Sequence, residues 1–242
     1  MRVLAIGNSF SQDATRYLHD IAKADGETLE VITLYIGGCT LERHYRNMLS
    51  GEAKYELQYD GHPTNFFISL DDALLNRPWD VVTVQQASGE SFKPDSYTPY
   101  IQELAEHIRL CQPKAKLLVH QTWAYEAGCA RLASVTPYET PEQMLADVKA
   151  AYAQAAASIE ADGIIPSGEL MMQLLDKGVE TVHRDGYHLS RGLGRYAAGL
   201  LWYRMLTGNA VSGNTFCAFD EPVSEEEISL AQACADAFTP LF

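Results

Sequence analysis

The sequence predicts an α/β fold: a three-layer α/β/α sandwich around a mainly parallel sheet of five strands. Short aliphatic runs recur along the 242 residues, and segments with helical apolar spacing separate them. Runs that are apolar without alternation are typical of strands buried on both faces, as in a parallel sheet covered by helices. The strands are predicted at residues 2–6, 29–35, 80–84, 116–120 and 163–166.

Capping signals and apolar spacing predict the helices that connect these strands. The clearest start is Thr140-Pro-Glu-Gln143, a capping box with proline at the first helical position, which opens an alanine-rich helix to about residue 159. Further helices are predicted at about residues 13–24, 41–49, 70–76, 99–111, 168–175, 191–207 and 224–238.

Residues 54–68 interrupt the alternation of strand and helix. Residues 55–59 alternate in polarity, Asp60-Gly61 is a turn signal, and residues 65–68 are apolar again. This pattern predicts a β-hairpin inserted near an edge of the sheet. No repeat, low-complexity run or linker divides the chain, so a single domain over residues 1–242 is expected.

Composition and charge exclude several function classes. The chain has 18 Lys and Arg against 32 Asp and Glu, a net charge of −14, which disfavours binding to nucleic acid or anionic membranes. No leader peptide or membrane-spanning run is visible, and the five cysteines show no metal-ligand spacing. We therefore expect a cytoplasmic protein with reduced cysteines and no metal or cofactor. Its oligomeric state stays open.

The first predicted strand ends in a turn that carries a serine, Gly7-Asn8-Ser9. In α/β sheets the ligand crevice lies at the carboxyl ends of the strands, where the N–H groups at the start of a helix favour an oxyanion. Ser9 could therefore be a nucleophile. Alternatively, Ser9 and Ser11 could be only turn and capping residues.

A second motif, Asp185-Gly-Tyr-His188, lies near the other end of the chain. A histidine can act as general base for a serine, and a carboxylate can hold its ring in the required tautomer. Asp and His three residues apart in one loop can point into the same crevice, and Ser190 is expected to cap a helix that begins at Arg191. The alternative is a plain Asp-Gly turn with a surface histidine.

Together the two motifs resemble the SGNH (GDSL-like) hydrolase family. In that family a nucleophilic serine follows the first strand and an Asp-x-x-His pair lies near the C-terminus; Ser9, Asp185 and His188 match these positions. The resemblance implies a flavodoxin-like strand order and a Ser-His-Asp triad. It also implies an oxyanion hole that includes the N–H groups of Ser9 and of a glycine after the second strand. Gly38 is the match for that glycine, and Gly37 is the alternative.

The sequence departs from the family at the third block, which normally supplies an asparagine. Gln85-Gln86 stands there, and a glutamine carboxamide could replace asparagine as an oxyanion donor. Side chains alternate across a strand, so only one of the two is expected to face the site, and Gln85 is the preferred candidate. Further substrate contacts are expected from polar and aromatic residues near the strand ends: Asn8, Gln86, Ser88, Trp123 and Tyr125.

The details of these blocks look closest to a poorly characterised SGNH-like subgroup. The resemblance implies a metal-independent serine esterase acting on acyl esters, so the expected partner is a small-molecule or carbohydrate ester. O-acetyl groups on a carbohydrate are the expected substrate, because some carbohydrate esterases of this clan carry glutamine at the third block. A thioesterase or lipase-type acyl hydrolase would instead need a long apolar channel beside Ser9. A non-catalytic ligand-binding domain would keep the pocket without turnover.

Overall fold

A seven-stranded sheet forms the centre of the computed structural model, which describes residues 1–242. The strands are β1 (Arg2–Gly7), β2 (Glu30–Tyr35), β3 (Tyr55–Tyr59), β4 (His62–Ile68), β5 (Val81–Val84), β6 (Lys116–Gln121) and β7 (Gly163–Pro166). Their order across the sheet is β4-β3-β2-β1-β5-β6-β7. The five neighbouring strands β2-β1-β5-β6-β7 are parallel and have the flavodoxin-like order, which confirms the predicted fold class.

The remaining two strands are the predicted hairpin. β3 pairs antiparallel with β2, and β4 pairs antiparallel with β3 and forms the outer edge. The turn between them contains Asp60 and Gly61, both with positive φ. The insertion therefore extends the five-stranded parallel sheet to seven strands.

Ten α-helices surround the sheet. They are α1 (Ser9–Thr15), α2 (Leu18–Ala24), α3 (Leu41–Ser50), α4 (Leu70–Leu75), α5 (Tyr100–Cys111), α6 (Ala130–Val135), α7 (Pro141–Ser158), α8 (Ser167–Asp176), α9 (Leu193–Thr207) and α10 (Glu225–Asp236). None of these helices is long and apolar enough to cross a membrane.

The helix contacts divide the helices between two layers. α9 contacts α1, α2, α8 and α10, whereas α5 contacts α3 and α4, and α7 packs on β6 and β7. Nearly every residue of α9 is buried, which explains why its sequence is apolar around the whole helix. The sheet between two helical layers is the predicted three-layer sandwich.

Two predicted helix starts are wrong. The single helix predicted over residues 13–24 is divided into α1 and α2. The first of these begins at Ser9, because the Asn8 side chain accepts a hydrogen bond from the Phe10 N–H (3.0 Å) and caps α1 there. The helix predicted from Arg191 begins at Leu193. Ser190 still contributes to that start, since its hydroxyl accepts from the Gly194 N–H at 2.8 Å.

A fully buried carboxylate, Asp13, joins α1 to the C-terminal part of the chain. It accepts hydrogen bonds from Arg184 Nη1 (3.0 and 2.9 Å) and from Arg195 Nε (2.8 Å). It also accepts from the backbone N–H of Leu189 at 3.1 Å. A buried charge is tolerated only when it is paired and hydrogen-bonded, and Asp13 meets both conditions. Asp13 therefore holds α1 and the loop before α9 in one arrangement.

Replacing this carboxylate should weaken the fold strongly. Asp13→Ala is expected to lower the free energy of unfolding by about 3–5 kcal/mol, because it leaves two partly buried guanidinium groups without their shared partner. Denaturant unfolding measures the loss. The matched control is Arg46→Ala, which breaks an exposed pair with Glu42 and should cost under about 1 kcal/mol. Equal losses in the two variants would contradict the proposed importance of Asp13.

Candidate active site

Ser9 stands where β1 ends and α1 begins. Gly7 makes the close turn possible, because a Cβ at this position would collide with the side chain of Ser11 and with Gln85 Oε1. Asn8 then caps the helix, which makes Ser9 its first residue. The N–H of a first helical residue has no acceptor within its own helix, so it is available to a ligand.

Ser9, His188 and Asp185 form a continuous hydrogen-bonded chain. Ser9 Oγ lies 2.8 Å from His188 Nε2, although the two residues are 179 positions apart in the sequence. His188 Nδ1 lies 2.8 Å from Asp185 Oδ2. The other oxygen, Asp185 Oδ1, accepts from the backbone N–H of His188 at 2.9 Å. Asp185 thus orients both the ring and the backbone of His188.

The surroundings of Asp185 favour its charged form. Partial burial raises the pKa of its carboxyl, but the hydrogen bonds from the ring and backbone of His188 outweigh this effect and hold the pKa below its ordinary value. An ionised carboxylate can only accept hydrogen bonds. The proton of a neutral His188 ring therefore lies on Nδ1, and Nε2 is left to accept the hydroxyl proton of Ser9.

This hydrogen-bonded chain opens on a cavity of about 560 Å³. Only five of its 18 lining residues are hydrophobic. These five are Phe10, Tyr35, Ala87, Val135 and Tyr187. The residues expected from the sequence that line the cavity are Asn8, Ser9, Gly38, Ser88 and His188.

Gly38 offers a second backbone N–H to this cavity. Its φ of +61° lies in the left-handed region that favours glycine, and its N–H makes no hydrogen bond within the chain. The side chain of Asn8 ties this loop to the serine turn, because Nδ2 donates to the carbonyl of Cys39 at 3.0 Å. One carboxamide therefore holds together the two backbone segments that carry the available N–H groups.

The expectation that the Gln85 side chain faces the oxyanion site is wrong. Gln85 is only 1 % exposed and does not line the cavity. Its amide nitrogen donates to Asn8 Oδ1 at 2.9 Å and to the carbonyl of Gln86 at 3.2 Å, and its oxygen accepts from the hydroxyl of Ser11. Both ends of the carboxamide are thus engaged behind the cavity wall, where they support Asn8.

Gln86 is also turned away from the cavity. Its oxygen accepts from the N–H groups of Leu41 and Ala87, each at 2.9 Å, and its nitrogen donates to Ser96. Strand alternation does not separate the two glutamines, because β5 ends at Val84 and neither belongs to it. The expected substrate contact from Gln86 is therefore wrong as well.

The two aromatic residues expected to contact substrate lie behind the cavity wall. Trp123 is fully buried, stacks on Phe10 with ring centroids 4.2 Å apart, and donates its indole N–H to the carbonyl of Tyr187. Tyr125 is fully buried too, and its hydroxyl lies 3.0 Å from Ser88 Oγ. Both side chains pack against residues that line the cavity and do not line it themselves.

Sequence reasoning missed three charged residues near the site. Asp13 fixes the backbone of Leu189, the neighbour of His188, while Arg131 and Arg184 line the cavity. The signal for Asp13 was a carboxylate at the start of a helix predicted to pack on the sheet. The basic residue directly before Asp185 was another. Arg131 gave no signal, because it comes from α6, a short helix that the sequence pattern does not predict.

Comparison with known proteins identifies the family. Residues 2–238 match the model of DUF4886, a domain of unknown function. The structure resembles that of a DUF4886 family protein from Bacteroides uniformis, with 34 % identity and a TM-score of 0.89 over 98 % of this chain and 93 % of that chain. No curated protein matches the sequence.

The wider structural similarity is to SGNH hydrolases. A proposed SGNH hydrolase from Slackia heliotrinireducens is 25 % identical, with a TM-score of 0.61 over 85 % of this chain and 98 % of that chain. A variant of an acetyl xylan esterase from Geobacillus stearothermophilus is 12 % identical, with a TM-score of 0.51 over 89 % and 96 % of the two chains, and shares the fold. The resemblance to a poorly characterised SGNH-like group is thus confirmed, and the chain belongs to the DUF4886 family.

Proposed function

We propose that this protein is a serine esterase that hydrolyses short acyl esters, in particular O-acetyl groups carried by a carbohydrate. The observation that carries the proposal is the hydrogen-bonded chain from Asp185 through His188 to Ser9, which opens on a solvent-accessible cavity. Nucleophile, base and orienting carboxylate in this order are the arrangement that activates a serine for acyl transfer.

In the proposed reaction Ser9 Oγ attacks the ester carbonyl carbon while its proton passes to His188 Nε2. Asp185 stabilises the imidazolium that results, because its carboxylate already accepts the Nδ1–H. His188 then returns the proton to the departing alcohol as the ester C–O bond breaks. Water, deprotonated by the same histidine, attacks the acyl-serine, and the acid leaves with Ser9 restored.

In this proposal, backbone N–H groups stabilise the negative charge that develops on the carbonyl oxygen. The N–H groups of Ser9 and Gly38 are both available, and the side chain of Asn8 fixes the distance between their segments. Preorganised donors of this kind stabilise the transition state without reorganising during the reaction. In this proposal Gln85 positions Asn8 and does not touch the substrate.

Two other candidate nucleophiles are poorly suited to the reaction. Cys39 is fully buried, and burial raises the pKa of its thiol to about 12, so the reactive thiolate is disfavoured. Ser88 lines the cavity, but its hydroxyl is paired with Tyr125 and not with a histidine. These surroundings support Ser9 as the nucleophile.

The first prediction from the proposed esterase function concerns this nucleophile. A fluorophosphonate probe should label wild-type protein at Ser9, as read by peptide mass spectrometry. Ser9→Ala should abolish labelling and lower kcat for p-nitrophenyl acetate by at least roughly a thousandfold, because removing a triad nucleophile removes the covalent route. The matched control Ser229→Ala, on the exposed face of α10, should keep both the labelling of Ser9 and the hydrolysis of p-nitrophenyl acetate. Labelling of Ser88, or retained turnover in Ser9→Ala, would contradict the proposal.

The second prediction concerns acyl-chain length. Because only five of the 18 residues that line the cavity are hydrophobic, kcat/KM should be at least about tenfold higher for p-nitrophenyl acetate than for the octanoate. A series of esters between the two, measured by release of nitrophenol, gives the trend. A preference for the octanoate would support a lipase-type or thioesterase activity instead.

The third prediction concerns Gln85. Gln85→Ala should lower the free energy of unfolding by about 1–3 kcal/mol, because it leaves the buried hydroxyl of Ser11 without its acceptor. Denaturant unfolding measures this loss, and Gln154→Ala, on an exposed position of α7, is the matched control. A large loss of kcat in Gln85→Ala without any loss of stability would instead make Gln85 an oxyanion donor.

A further inference from the structure

The charge of the cavity is opposite to that of the whole protein. The chain carries a net charge of −14, yet the charged residues that line the cavity are Lys93, Arg131, Arg184 and a single acid, Glu90. Lys93 and Glu90 pair with each other at 3.0 Å and offset one another. Arg131 and Arg184 are then the remaining charged residues of the lining. The carboxylates around them balance their positive charge only in part.

Arg131 makes no ion pair with any carboxylate of the chain, in contrast to Arg184 and Arg195. Its guanidinium carbon lies 4.3 Å from the centre of the Tyr187 ring and 5.3 Å from that of Tyr125, and its Nε is buried without a hydrogen-bond partner. Asp185 acts on this charge from nearby, but that carboxylate is engaged by His188. The aromatic rings thus hold Arg131 in place while its Nε stays without a partner.

Arg131 is held close to the catalytic histidine. Tyr187, on which the guanidinium lies, contacts the His188 ring with centroids 4.0 Å apart. Arg131 and His188 line the same cavity. A group bound by Arg131 would therefore belong to the same molecule as an ester bond presented to Ser9.

Arg184 adds positive potential through an unbalanced ion cluster. Asp13 and Asp220 are shared among three arginines, which leaves an excess of one positive charge: Arg16 pairs with Asp220, Arg184 with Asp13, and Arg195 with both. Arg184 is the member of this cluster that lines the cavity. Only its Nη1 is used in these bonds, so Nη2 and Nε are free to donate.

We infer that the substrate is an anionic ester, whose carboxylate or other oxyanion group binds to Arg131 while its acyl ester reaches Ser9. This inference rests on the proposed esterase function and names the substrate class of the same site. Guanidinium groups bind carboxylates, sulfates and phosphates through charge-assisted hydrogen bonds, and two arginines in a confined cavity favour such a group over a neutral one. An acetylated acidic sugar belongs to this class.

Three aryl acetates of similar size test the inference. para-Acetoxybenzoate carries a carboxylate, para-acetoxybenzenesulfonate a sulfonate, and para-acetoxybenzamide no charge. After division by the hydroxide-catalysed rate of each ester, kcat/KM of the wild-type protein for the better anion should exceed that for the amide by at least about tenfold. The ranking of the two anions shows whether a planar or a tetrahedral group is preferred. Equal rates for all three esters would overturn the inference.

Variants of Arg131 tie the preference to this residue. Arg131→Gln should reduce the ratio of anion to amide to within about twofold of unity, whereas Arg131→Lys, which keeps the charge, should retain part of it. Lys114→Gln makes the same charge change at an exposed position outside the cavity and should leave the ratio unchanged. If Arg131→Gln lowers all three rates alike, Arg131 only positions Tyr187 and His188, and the inference fails.

Binding to the Ser9→Ala variant separates this inference from the proposed function. Calorimetric titration should show that para-acetoxybenzoate binds at least about tenfold more tightly than the amide. Adding Arg131→Gln to Ser9→Ala should remove that difference. If the wild type hydrolyses no ester, the proposed function fails, and the titration still decides anion recognition. If hydrolysis is found but anion and amide bind equally, only the anion inference fails.

Discussion

The buried carboxylate of Asp13 is the interaction on which the geometry of the site depends. Ser9 belongs to α1, and His188 belongs to a loop 179 positions further along the chain. Asp13 lies on the same short helix as Ser9 and binds Arg184, Arg195 and the backbone of Leu189. A charge without access to water must keep all of its partners, so α1 and the histidine loop cannot separate without a large energetic cost.

A second network, of neutral carboxamides, arranges the opposite wall of the cavity. Asn8 caps α1, binds the loop after β2 and is itself held by Gln85, which follows β5. Because these groups are buried, each must be paired, and their mutual hydrogen bonds define one arrangement of three neighbouring strand ends. The glutamine at the third block therefore supports Asn8 and does not line the cavity. The cavity they enclose carries positive charge in a strongly acidic protein.

Much of the fold could be predicted because it follows from local patterns. The apolar runs of β1, β5 and β6 have no alternation and can only be buried on both faces, and the polarity pattern around Asp60-Gly61 is specific to a hairpin. The first residues of the helices were harder to predict. The start of α1 at Ser9 depends on which side chain caps the helix, and the chain offers Asn8, Ser9 and Ser11 in succession. Partners distant in sequence distinguish them: Ser11 binds Gln85 and Ser9 pairs with His188, whereas Asn8 caps the helix.

The sequence by itself determined the alternation of strands and helices, the hairpin, and the serine turn and Asp-x-x-His loop as separate motifs, because each depends on residue types at short spacing. The strand order and the pairing of the two motifs, 179 positions apart, came from the resemblance to the SGNH family. The tertiary structure decided which side chains reach the cavity. Gln85, Gln86, Trp123 and Tyr125 all follow strands toward the site, yet their side chains are buried behind its wall. Arg131 comes from a short helix with no motif and reaches the cavity by packing on Tyr187. The direction of a side chain beyond a strand end depends on partners distant in sequence, and no local pattern specifies them.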